Sequence, residues 1–193
     1  MCRVLAPALL LILAGGLSAQ TPEPTGTVLR IGAGAGKMDF TCGDCQIGAQ
    51  NGLSGFIAVA RPIGRGFTAG LEATFANAAF DTVEGEDHAW LWGAMAAAGL
   101  RGGPGLPVWG TLGLGWVLYS GLGPNSSGPA LSLRAGGDVG IGSLGFVSPY
   151  AGYVTMLGHD GPEVAGPSEV LPPQFARSRV SSFQLGIAWT PRL

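Results

Sequence analysis

Apolar residues recur at every second position from Thr27 onward, and this alternation restricts the possible folds more than any other feature of the chain. In the clearest segment Phe67, Leu71 and Phe75 share one face, and the other face carries threonine, glycine and glutamate. A period of two indicates β-strands, whose successive side chains point to opposite faces. The pattern recurs in three further segments: 29–36, 131–141 and 182–189. The sequence therefore predicts strands with one apolar face and one face of glycine and polar residues.

Weaker alternation brings the predicted number of strands to eight, in four further segments: 52–60, 88–100, 108–119 and 149–157. The connections alternate between two classes. Short breaks rich in glycine or proline follow strands two, four and six: 61–65, 102–107 and 142–148. Longer polar stretches follow the odd-numbered strands: 39–51, 77–87, 121–129 and 158–178. Short turns at one rim and long loops at the other are typical of an up-and-down transmembrane barrel.

The chain carries little charge. Its 10 Lys and Arg and 12 Asp and Glu residues make up 11% of 193 residues, whereas about 25% is usual for a soluble domain. A disordered chain would be more charged and less apolar, and a net charge of −2 provides no electrostatic footprint for nucleic acid. A lipid-facing surface needs no charge. We therefore predict an all-β fold, an eight-stranded antiparallel up-and-down transmembrane β-barrel.

Two other architectures fit the pattern less well. A helical membrane protein would use the uncharged stretches 102–133 and 139–158, but prolines and many glycines interrupt both. A secreted lipocalin-like ligand-binding barrel would turn the apolar face inward. It would then present a surface of mainly glycine, serine and threonine to water, which is poor for solubility.

The N-terminus has the features of a cleaved signal peptide. Arg3 is followed by an apolar run, and small residues precede a cleavage site after Ala19. The predicted organisation is a signal peptide over 1–19, a short linker over 20–26 and the barrel over 27–193. Export in a Gram-negative-type bacterium and insertion into its outer membrane follow from this organisation.

Aromatic residues are predicted to form girdles near the two edges of the apolar band. A tilted strand rises roughly 2.5 Å per residue along the membrane normal, so Phe67 and Phe75 should be about 20 Å apart. The short-turn rim should hold Trp109, Tyr150 and Trp189. The loop rim should hold Trp116. The nearly all-apolar segment 88–100 does not assign Trp90 and Trp92 to a face.

Charged residues in mid-strand take the face opposite the apolar one. They are Arg30, Glu72, Arg134 and Asp138, with Gln184 as a polar neighbour. Charges inside a narrow barrel must pair or be hydrated, so we predict a lumenal network. Because an eight-stranded interior is just wide enough for side chains, the network should fill the lumen. Glycines on the same face leave space, which keeps a small pore-forming channel as the alternative.

Cys42 and Cys45 enclose two residues in the first predicted loop. A redox site would need a helix start after the first cysteine, and a four-ligand zinc site would need a second pair. A local disulfide in an exported protein is the preferred interpretation.

Sequence motifs for catalysis are weak. His88 and His159 each neighbour an aspartate, but no serine motif joins either to a triad. The second loop is acidic, with Asp81, Glu84, Glu86 and Asp87. A solvated loop is the preferred interpretation, and a site for divalent cations that bridge lipopolysaccharide is the alternative. The prediction is a protein that is not an enzyme and has no metal, cofactor or nucleic-acid partner.

The last strand, Gln184-Leu185-Gly186-Ile187-Ala188-Trp189, resembles the glycine-and-aromatic terminal strand of the small outer-membrane barrels typified by the OmpA transmembrane domain and OmpX. The chain departs from that pattern by continuing through Thr190-Pro191-Arg192-Leu193. The resemblance implies recognition by the outer-membrane insertion machinery. It also implies contact with membrane lipid and lipopolysaccharide, and a monomer with a structural or surface-interaction role.

Overall fold

The computed structural model describes residues 26–42, 45–82, 85–102, 106–121, 125–157 and 179–192, with backbone alone described for 41–42, 45–49, 81–82 and 85–87. Eight long strands account for nearly all of them: β1 (Val28–Cys42), β2 (Cys45–Gly64), β3 (Phe67–Thr82), β4 (Gly85–Arg101), β5 (Val108–Ser120), β6 (Ser126–Gly137), β7 (Phe146–Met156) and β8 (Arg179–Thr190). A two-residue strand, Val139–Gly140, continues β6 beyond Asp138 and pairs with the start of β7. A 3-10 turn covers Gly142–Leu144.

Every long strand pairs antiparallel with its neighbours in the chain. β1 also pairs with β8, from Ile31 opposite Trp189 to Thr41 opposite Arg179, so the sheet closes on itself. The predicted eight-stranded antiparallel up-and-down barrel is confirmed. Among the described residues, no helix is long and apolar enough to cross a membrane.

The connections define two rims. The turn rim holds the start of β1, the end of β8 and the turns after β2, β4 and β6, while the loop rim holds the connections after the odd-numbered strands. At the turn rim Gly66 adopts a positive φ of 74°, which favours glycine, and its carbonyl accepts a hydrogen bond of 2.7 Å from the Arg101 amide.

Two of the predicted long loops, 39–51 and 77–87, are wrong, because strands occupy all of their described residues. β1 and β2 stay paired up to Cys42 opposite Cys45, and β3 and β4 up to Thr82 opposite Gly85. Strand pairing satisfies the backbone whatever the side chains are. Polar residues therefore mark where the apolar exterior ends, not where the strand ends.

The outer face carries the apolar residues of the alternation. Leu71 is 71% exposed and Ile187 is 62% exposed. The structure also assigns the undetermined tryptophans of β4: Trp90 and Trp92 both point outward, and their rings stack with centroids 6.1 Å apart.

Candidate functional site

The barrel interior is the candidate site, and three groups of side chains fill it. We call them the mid-barrel network (Glu72, Thr74, Ser132, Arg134 and Gln184), the rim cluster (Arg30, Arg101, Asp138, Ser148 and Thr190) and the apolar layer, whose larger members are Met38, Phe40, Phe80, Leu91, Met95, Val117, Tyr119, Val154, Met156 and Val180. All take the strand positions opposite the apolar exterior, so strand parity alone directs them inward.

The mid-barrel network centres on Arg134 of β6. Its guanidinium forms a buried ion pair with Glu72 of β3. It also donates hydrogen bonds of 2.8 Å to Thr74 Oγ1 and 3.2 Å to Gln184 Oε1. Ser132 Oγ donates to the same Glu72 carboxylate at 3.0 Å. The Arg134 side chain therefore links β6 to β3 and to β8 across the interior.

The rim cluster centres on Asp138, at the end of β6. Its carboxylate accepts hydrogen bonds from Arg101 Nη2 at 3.0 Å and from Ser148 Oγ at 2.5 Å, and Arg30 Nη2 lies 3.7 Å away. Arg30 Nε donates to Thr190 Oγ1 at 3.1 Å. The five residues predicted as one network therefore lie in two groups, with Arg30 and Asp138 in the rim cluster.

Arg101 belongs to the rim cluster although the sequence pattern does not single it out. It lies at the end of β4, where it shares inward parity with Met95 and Gly99. The alternation of β4 is obscured because alanines lie on both of its faces, so the sequence pattern does not show which face Arg101 occupies. If Trp90 and Trp92 are assigned to the outer face, the alternation of the strand places Arg101 on the inner face.

Two of the predicted girdle aromatics are wrong: Trp109 and Tyr150 point into the barrel and are buried. Phe56 lies between them, with ring centroids 5.0 Å from Tyr150 and 6.5 Å from Trp109. The physical reason is volume. Inward-facing glycines leave space, and these rings occupy it; a Cβ placed on Gly32 would overlap the Phe56 ring.

The interior rings also contact the arginines. The guanidinium carbon of Arg30 lies 3.9 Å from the centroid of Trp109, and that of Arg134 lies 4.5 Å from the centroid of Phe56. Such contacts are attractive, and more so away from water. The aromatic groups therefore help to hold the buried cations.

The other girdle candidates lie on the outer face. Phe67, Trp116 and Trp189 are exposed there, and Phe75 is partly covered by Trp92, with ring centroids 5.7 Å apart. Phe75, Trp90, Trp92 and Trp116 form an aromatic patch on neighbouring strands β3, β4 and β5.

The apolar layer occupies the interior on the loop-rim side of the mid-barrel network. Phe40 of β1 and Tyr119 of β5 stack across it with ring centroids 5.3 Å apart. Met38, Val117, Val154 and Val180 are at most 1% exposed. These side chains pack against one another inside the described part of the barrel.

The remaining candidates lie at the loop rim. The register places Cys42 directly opposite Cys45, but their side chains are outside the described part of the structure, so the disulfide stays a prediction. His88 is exposed on β4, whereas His159 and the side chains of the acidic segment 81–87 are outside the described residues. No group of three metal-ligating side chains occurs among the residues described.

A closed antiparallel sheet of eight strands with an apolar exterior defines the class of small up-and-down β-barrels. No protein-family model matches the sequence, and no curated protein matches it either. Among solved structures, Neisserial surface protein A is similar over 85% of this chain and 98% of its own, with 14% identity and a TM-score of 0.52. The chain therefore has the fold of the small eight-stranded outer-membrane barrels.

Two further solved structures are more distant. Ail of Yersinia pestis has 16% identity and a TM-score of 0.44, over 85% of this chain and 97% of its own. OprG of Pseudomonas aeruginosa has 10% identity and a TM-score of 0.46, over 88% and 98%. Of the three, only Neisserial surface protein A is close enough to describe the fold of this chain.

Proposed function

We propose that the protein is a non-conducting β-barrel of the bacterial outer membrane with a structural or surface-interaction role. The observation that carries the proposal is the apolar layer, which fills the barrel between the mid-barrel network and the loop rim. A barrel sealed in this way contributes its rims and its outer wall to function, and not its lumen.

Location in a membrane is supported by the outer face. Its exposed side chains include Leu53, Leu71, Leu114 and Ile187 on four different strands. A continuous apolar wall of this kind is unfavourable in water, where large apolar patches associate. In lipid it needs no polar cover, since all backbone groups of a closed barrel are paired within the sheet.

Orientation and partners extend the proposal. The turn rim faces the periplasm and the loop rim faces outward, as is usual for short turns and longer loops. Membrane lipid and lipopolysaccharide contact the outer wall of a monomer. The predicted signal peptide, 1–19, directs export, and β8 is the segment that the insertion machinery recognises. The proposed function does not include catalysis.

The interior also offers a second candidate function, a small pore, because a cavity is present near the turn rim. Single-channel recording of the purified protein in planar bilayers separates the two functions. We expect no steady conductance from protein whose folding is verified by heat-modifiable gel migration. Steady steps of porin size would overturn the sealed barrel in favour of the pore.

Outer-membrane fractionation tests location independently of conductance. We expect the protein in the outer-membrane fraction, with residues 1–19 absent from the mature N-terminus. Recovery as a soluble periplasmic or secreted protein would reject the membrane barrel and favour the lipocalin-like alternative.

A further inference from the structure

A small vestibule lies inside the barrel near the turn rim. Its lining includes Arg30, Arg101, Trp109, Thr111 and Gly99, with Glu72 at the side of the mid-barrel network. The cavity volume is about 50 Å³, whereas a cavity needs roughly 10–15 Å³ on the same measure to admit one water. The vestibule is therefore large enough for a small ion.

The charges around the vestibule do not balance. Among the described interior residues, three guanidiniums (Arg30, Arg101 and Arg134) face two carboxylates (Glu72 and Asp138). Arg134 and Glu72 neutralise each other in a direct pair. Arg30 and Arg101 share the single carboxylate of Asp138, at 3.7 and 3.0 Å. Within this described interior, one positive charge is left without a counter-charge in a region of low dielectric constant, where that is costly.

Two polar groups at the vestibule add to this imbalance. Trp109 Nε1 and Thr111 Oγ1 are buried, and neither has a hydrogen-bond partner among the described residues. An indole N–H is a donor only, and a hydroxyl can donate. Buried donors without acceptors cost free energy, and an anion would accept from both.

We propose that the vestibule binds one small monovalent anion of about the size of chloride. The guanidiniums of Arg30 and Arg101 supply its charge complement, and Trp109 Nε1–H and the Thr111 hydroxyl donate to it. Nothing in the proposal requires the barrel to be sealed, so it stands or falls separately from the proposed function.

Crystals of the wild-type protein grown in bromide locate the site. We expect an anomalous difference peak within hydrogen-bond reach of Trp109 Nε1 and the two guanidiniums. A vestibule without such a peak, filled by water alone at high bromide concentration, would overturn the proposal.

Chloride titration followed by the linewidth of its chlorine NMR signal measures affinity in detergent micelles. Arg101→Gln should weaken binding and Asp138→Asn should strengthen it, each by about tenfold or more, since each changes a unit charge a few ångströms from the ion. Arg61→Gln is the matched control, because it removes an exposed positive charge whose side chain bonds Thr27 and not the vestibule. It should leave the affinity unchanged.

The two charge variants shift affinity in opposite directions, so a loss of folding cannot imitate the result. Heat-modifiable migration verifies each variant. If Arg101→Gln fails to fold, Asp138→Asn and the bromide crystals still decide the matter. Equal affinity in the wild type and Asp138→Asn would refute the assignment.

Discussion

Arg134 on β6 and Glu72 on β3 form an ion pair across the barrel interior, with a sequence separation of 62 residues. Both side chains are almost completely buried, at 0% and 1% exposure. The pair brings together two strands that are not neighbours in the sheet, so it reports on closure of the barrel as well as on local packing.

Glu72→Gln should destabilise the barrel by about 3–5 kcal/mol, because it leaves the Arg134 charge buried without its partner. Urea unfolding in detergent, followed by tryptophan fluorescence, measures the loss. The double variant Glu72→Gln with Arg134→Met should recover part of the stability, since no charge then remains at the site. Stability loss no larger than that of the exposed control Arg61→Gln would contradict a buried pair.

Gly32→Ala should destabilise the barrel by about 1–3 kcal/mol through overpacking. The nearest atoms to the added Cβ all belong to the Phe56 ring, which it would overlap. Gly64→Ala is the matched control, since nothing lies within 4 Å of a Cβ there. Phe56→Leu in the same chain should relieve the Gly32→Ala penalty. If Phe56→Leu does not restore stability, overlap with the Phe56 ring is not the cause of the Gly32→Ala penalty.

Leu71→Arg should cost about 2–4 kcal/mol of folding stability in bilayers, because its side chain lies midway along the proposed lipid-facing wall. The comparison is Leu144→Arg, whose equally exposed side chain lies in the turn after β6, where the cost should be about 0–1 kcal/mol near the interface. Both are measured by folding into vesicles at several urea concentrations. Equal, small effects would show a water-facing wall.

Unreduced protein should contain no thiol that reacts with an alkylating reagent, because Cys42 and Cys45 lie directly opposite each other across the first hairpin. Intact-mass measurement before and after reduction checks this. Replacing both cysteines by serine should change stability only modestly, since the closed loop is very short. Two alkylated cysteines without reductant would disprove the disulfide.

Much of this architecture follows from parity. Alternation in the sequence is enough to assign Glu72, Arg134 and Gln184 to the inward face, because a strand has only two faces. The alternation does not predict which inward-facing residues contact each other. Whether Arg30 meets Glu72 or Asp138 depends on the stagger between strands around the closed barrel, and that stagger is a property of all eight pairings together.

The aromatic residues near the rims show most clearly what the sequence pattern cannot predict. A position near a rim suits Trp109 equally as an outer girdle residue or as a filler of interior volume, and the choice depends on glycines of other strands. The strands are longer than the alternation predicts for a related reason. Polar residues near Cys42 and Thr82 end the apolar wall, while backbone pairing continues for several more residues.

Pairing of β1 with β8 has a consequence for biogenesis. Arg30 Nε bonds Thr190 Oγ1 across 160 residues of sequence, so the contacts that complete the barrel join its first strand to its last. A chain that lacks β8, through premature termination or proteolysis, would expose the edges of both β1 and β7, and unpaired edges recruit other chains. A truncated product is therefore expected to associate with other chains through these edges and not to close as a barrel.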